Sequence, residues 1–223
     1  MVAAIFKETV EVANALAECG TSGELLLTVL DAMVTAKNDC TDNDPPGSRG
    51  WRAWQMGTRR NREVHVGLGD WEKDDTDQVP SITSKKLGIR IVICNTDDGT
   101  CRDDGSPQNS SKKGAGNEQA IDANNQMSLD LRGGADAKVV PLGRTKSSDG
   151  PVITYYLCAY IVGDDIRAEL SLPTSFESGF FGGFAKRIYI VGGDTPPSDG
   201  AKVKPADDGD SGFDIPVKLK KPI

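Results

Sequence analysis

The chain has 223 residues, a formal charge of −7 and a pI near 4.8. That length supports one sizeable core or two small ones, and the acidic balance argues against a general nucleic-acid coat protein, whose phosphate binding rests on a Lys/Arg excess. Hydrophobic residues make up 37%, a share diluted by two polar stretches, and no apolar run approaches a membrane span.

The first 38 residues read as a helical hairpin. Phe6, Val10, Ala13 and Ala17 form a stripe flanked by Ile5, Val12 and Leu16, with Lys7, Glu11, Asn14 and Glu18 opposite. Gly20 suits a C-cap, and Thr21 with Glu24 suits a capping box for the second helix. That helix is apolar most of the way round, from Leu25 to Val34, which predicts burial between the first helix and a sheet. Residues 39–50 are expected as a loop on their Asp, Asn, Pro and Gly content.

Strands are expected to dominate from there. Val64, Val66 and Leu68 alternate with Glu63, His65 and Gly67, and Ile89, Ile91 and Ile93 alternate with Arg90, Val92 and Cys94. Asn117–Leu131 fits a helix and Lys138–Leu142 a further strand. Val152–Val162 is a continuous apolar and aromatic run that predicts a central strand covered on both faces. Gly163-Asp164-Asp165 then turns the chain into Ile166–Leu172, with Ile166, Ala168, Leu170 and Leu172 inward and Arg167, Glu169 and Ser171 outward. Lys186–Val191 supplies another strand.

Asp97–Gly116 is expected as a mobile loop, since it offers a core almost nothing beyond Cys101 and Ala115. Residues 192–223 are expected as a loose Asp/Gly/Pro-rich tail with an edge strand at 213–219. The resulting fold class is α+β: a mostly antiparallel sheet, the N-terminal helical hairpin on one face, and one domain over 1–191.

Five cysteines without a Cys-x-x-Cys pair suit reduced thiols, and Lys7 and Glu8 interrupt the N-terminus too early for a signal-peptide core. Both features predict a cytoplasmic protein.

Function turns on one charge pattern. Arg49, Arg52, Arg59, Arg60 and Arg62 stand with Trp51 and Trp54 in a stretch without an acid, and Asp70, Glu72, Asp74, Asp75 and Asp77 follow with Trp71. Guanidinium groups grip phosphate and carboxylate in a fork, and indole faces stack on bases or on arginine. The favoured expectation is a non-catalytic binding or assembly module. Arg52, Trp54, Arg59, Arg60 and Arg62 would meet an anionic partner, another protein's acidic face or nucleic-acid phosphate, without a cofactor and without a membrane. The competing structural explanation pairs these arginines with the acids that follow.

The alternative is a divalent-metal phosphodiesterase or nuclease. On a strand Glu63 and His65 share a face, and with Asp70 they would form a set able to hold Mg²⁺ or Mn²⁺ or to act as a base. A nuclease-like triplet, Asp136-Ala-Lys138, has Asp122 or Asp130 as the earlier acid. Short calcium-loop fragments occur at Asp97-Asp98-Gly99 and Asp207–Gly212 without the closing Glu. A cysteine paired with His65 is a further nucleophile option, with no local signature to select one of the thiols. P-loop, dinucleotide-fingerprint, nucleophile-elbow and zincin motifs are absent from the sequence. Partner identity and oligomeric state are open at this level.

Overall fold

The structure is a computed structural model, and it describes residues 3–130 and 152–192. The fold is α+β. Seven strands form one mixed sheet in the order β1-β7-β6-β5-β4-β3-β2. They are β1 Ala4–Phe6, β2 Glu72–Asp74, β3 Ser81–Ser84, β4 Ile89–Asn95, β5 Ile153–Val162, β6 Asp165–Glu177 and β7 Phe180–Val191. Neighbours are antiparallel except β1 with β7 and β4 with β5. The helices are α1 Thr9–Glu18, α2 Gly23–Asn38, α3 Ser48–Val66 and α4 Ala115–Asp130.

Alternation along the central strands divides the core in two. Ile91, Ile93, Leu157, Ala159 and Leu170 face α1–α3 and pack with Leu16, Leu26, Val29, Met33 and Ala53. Val92, Cys94, Tyr156 and Cys158 face the other way, toward Ile121 of α4 with Phe181 and Phe184. The central strand expected at 152–162 is therefore covered on both sides.

Several local expectations are corrected. Residues 4–6 extend β-sheet pairing onto β7 instead of opening the first helix, which starts at Thr9. Gly20, with a positive φ, ends α1: its N–H reaches Ala17 O and the Thr21 N–H reaches Leu16 O, the two bonds of a Schellman turn. The N-cap of α2 is Ser22, whose hydroxyl accepts from the Leu25 N–H at 3.3 Å, rather than Thr21. Along its length α2 packs mainly on α3, not on α1.

The largest correction lies at 48–68. Instead of a loop followed by a strand, Ser48–Val66 is one nineteen-residue helix. Its buried side is Ala53, Gly57, Thr58, Asn61 and His65, a row at helical spacing made of small and polar residues. A search for apolar period misses such a row, and the Val64/Val66/Leu68 alternation, only three apolar residues long, is too short to fix a strand. Gly57 explains the close packing: a Cβ there would stand 2.6 Å from Met33 Cγ and 3.1 Å from Ile93 Cγ2.

A second correction concerns β6. Glu169 and Ser171, expected outward, are fully buried. Residues 97–110 lie over that face and place Thr100, Cys101 and Asn109 in the interior. Glu169 meets Arg187 of β7 through two contacts, Nε–Oε1 at 2.8 Å and Nη2–Oε2 at 2.7 Å. Arg187 also donates to the carbonyls of Gly99, Arg102 and Gly105, and Glu169 accepts from the Cys101 N–H. An acid on the outer side of a hairpin strand is thus the anchor of a loop. The expected strands at 138–142 and 213–219, the Asp136-Ala-Lys138 triplet and the Asp207–Gly212 cluster lie outside the described residues.

Candidate anion-binding face on α3

Helical geometry, not strand geometry, sets the layout of the charged segment. At 100° per residue, Arg49, Arg52, Arg59, Arg60 and Arg62 fall within an arc of about 160° on α3. That arc is the solvent side, opposite Ala53, Gly57, Asn61 and His65. The C-terminal half of this face borders β2. There Arg59, Arg62, Glu63, Val66, Gly67 and Lys73 line a groove of about 490 Å³.

Each arginine of the face has a carboxylate nearby, but the acidic block supplies few of them. Arg49 stands 3.4 Å from Asp42 and Arg52 4.0 Å from Asp44. Arg59 and Arg60 share the single carboxylate of Glu63, at 2.8 and 3.1 Å. Arg59 holds the Glu63 carboxyl below its ordinary pKa. Two cations against one anion leave this cluster positive, and all three side chains are solvent-facing. Arg62 is the exception. It pairs with Asp75 and donates to the main-chain oxygens of Asp74 and Ser81, so it fastens α3 to β2 and β3. Three of the four remaining acids of the block turn elsewhere: Asp70 to Lys86, Glu72 to Lys85 and Asp74 to Arg90. Lys73, exposed at the groove, makes no ion pair among the described residues.

The tryptophans separate. Trp51 is 57% exposed, on the same side of α3 as the arginines. Trp54 is half-buried, packs against the core and borders a different cavity, of about 170 Å³, with Val79, Val92, Lys113 and Asn117. Trp71 is buried, its ring edge-on to His65 at 5.4 Å, and its Nε1 donates to Gly20 O. Trp51, which was not in the expected partner-binding set, is thus the aromatic that accompanies the arginines. A sequence reading could have found it by placing the segment on a helix.

No family model matches this chain, and no curated protein or solved structure matches it. The site therefore rests on its own geometry.

His65, Glu63 and Asp70 do not share a face. Two residues apart on a helix are rotated by about 200°, so Glu63 points to solvent while His65 is fully buried. Nδ1 of His65 lies 3.0 Å from the Asn61 carbonyl, which only accepts, so Nδ1 carries the proton. Nε2, 2.8 Å from Thr21 Oγ1, then accepts from that hydroxyl. Burial pushes the pKa of His65 down, against a smaller upward pull from the Asn61 bond. Both ring nitrogens are thus occupied, Nδ1 within α3 and Nε2 in joining α3 to the α1–α2 turn. Asp70 is exposed beside Lys86, and Asp122 is exposed on α4. No group of three or more His, Cys, Asp or Glu able to hold a metal occurs among the described residues. All five cysteines are free and buried, and burial raises the thiol pKa of Cys19, Cys94, Cys101 and Cys158. No described helix is long and apolar enough to cross a membrane.

Proposed function

We propose that this protein is a binding or assembly module that meets an anionic partner through the arginine face of α3. The observation that carries the reading is the groove beside β2, where Arg59, Lys73 and the Asp75-paired Arg62 stand against the one lining acid Glu63. Exposed ion pairs are weak, so an incoming phosphate or carboxylate displaces Glu63 from Arg59 at little cost. The negative charge of the whole body does not cancel this local site, because charges beyond about 8 Å are largely screened at physiological salt.

The test is charge reversal away from structural contacts. Arg59→Glu with Arg60→Glu alters the solvent-facing pair and leaves Arg62 to hold β2 and β3. Affinity for heparin, a generic polyanion, is measured by fluorescence titration at low salt. A loss of tenfold or more with an unchanged melting curve supports the proposal. Unchanged affinity in the folded double variant removes it.

A further inference from the structure

We infer that the anionic partner is a single-stranded nucleic acid, lying along α3 with a base stacked on Trp51 and phosphates over Arg59, Arg62 and Lys73. This rests on the proposed anionic surface and names the class of partner that fits it.

The argument starts from helical register. Trp51, Gln55, Arg59, Arg62 and Val66 occupy a stripe about 80° wide and about 22 Å long on α3. The stripe begins at an exposed indole and ends in the groove where Lys73 joins it from β2. An aromatic platform followed by cations along one track is the arrangement that single strands use: bases offer π-faces to the ring and phosphates offer charge to the guanidinium groups. An acidic peptide satisfies Arg59 and Lys73 equally well but has no flat group for Trp51. A duplex keeps its base faces stacked inside, and its dense phosphate charge is the poorer match for a protein of charge −7.

Competing contacts do not close the track. Glu63 already bridges two arginines, so a phosphate that takes Arg59 leaves it paired with Arg60. Arg62 keeps its two main-chain acceptors and its pair with Asp75, and still lines the groove. The strand thus gains contacts to three cations without unfastening α3 from β2.

The experiment uses the full chain with a fluorescein-labelled fifteen-nucleotide oligo(dT) and oligo(rU), the matching duplex, and polyglutamate, by anisotropy. Trp51→Ala is expected to weaken single-strand binding about tenfold, the weight of one stacked base, while Trp51→Phe retains it. Three phosphate contacts give a log–log salt slope of about −2, hence about a twentyfold loss between 50 and 200 mM salt. Polyglutamate binding should not respond to Trp51→Ala. If Trp51→Ala binds oligonucleotide like the parent while the Arg59/Arg60 reversal weakens both polyanions, the nucleic-acid assignment falls and the anionic surface stands. Duplex bound as tightly as single strand also overturns the assignment. If the reversal changes neither polyanion, the surface itself is wrong.

Discussion

Replacing Arg187 by Met tests whether the buried ion pair anchors residues 97–110. Arg187 and Glu169 have 3% and 0% of their side chains exposed, so neither charge reaches water. Truncation strands the Glu169 carboxylate with the Ser171 hydroxyl and the Cys101 N–H as its remaining partners. It also removes the donor to three loop carbonyls, at Gly99, Arg102 and Gly105. Breaking such a pair costs about 3–5 kcal/mol, because a buried charge is left uncompensated. Against a total stability of about 5–15 kcal/mol that is a large fraction. At about 2–4 °C per kcal/mol for a chain of this size, the melting temperature drops by roughly 6–20 °C. The double variant Glu169→Met/Arg187→Met should recover part of the loss, since no charge is then left buried. Urea unfolding followed by tryptophan fluorescence gives the energies, and amide hydrogen exchange over 99–110 locates them. An Arg187→Met variant within 1 kcal/mol of the parent, with unchanged exchange at Cys101, would refute the anchoring argument.

Further outcomes follow from individual contacts. His65 has a folded-state pKa below its ordinary value of about 6.5, so the unfolded chain binds the extra proton. This contribution to stability is full above pH 6.5 and declines as pH falls from there toward the folded pKa. The decline should vanish in His65→Gln, and an identical pH profile for the variant contradicts the assignment. Gly57→Ala gains up to about 1 kcal/mol of helix propensity but forces Met33 aside, so a net loss of about 1–2 kcal/mol is expected in urea unfolding. A stabilised variant would mean that α3 does not approach α2 this closely. Titration with Mg²⁺ or Mn²⁺ should leave the melting temperature unchanged, given the separation of Glu63, His65 and Asp70. A rise that grows with metal concentration would revive the phosphodiesterase reading.

Legibility differed sharply between elements. Strands β4 and β5 carry enough consecutive Ile, Val and aromatic side chains for period and propensity to agree, and the β5–β6 turn is marked by Gly163 and its aspartates. The second helix was legible from its leucines. The three-residue strands β1 and β2 were not: residues 4–6 fit a helical stripe until β7 lay alongside them. Most costly was α3, whose fully buried positions are small or polar, with only Trp54 and Val64 packing partly buried beside them. A strand over 63–68 puts Glu63 and His65 on one face, whereas the helix separates them and brings Trp51 to the side of the arginines.

Composition and local order thus determined the α+β class, the covered central strand and the presence of a concentrated arginine segment. Tertiary structure decided where those charges point. Wrapping by α3 gathers five arginines on one side, while strand pairing sends most of the following acids to Lys85, Lys86 and Arg90 instead. Ion pairs depend on separation in space, and a few residues of chain separation are no guide once a helix and a strand diverge from the same turn. For the same reason Glu169 reads as a surface acid in sequence and becomes a buried anchor only when Arg187 and residues 97–110 close over it.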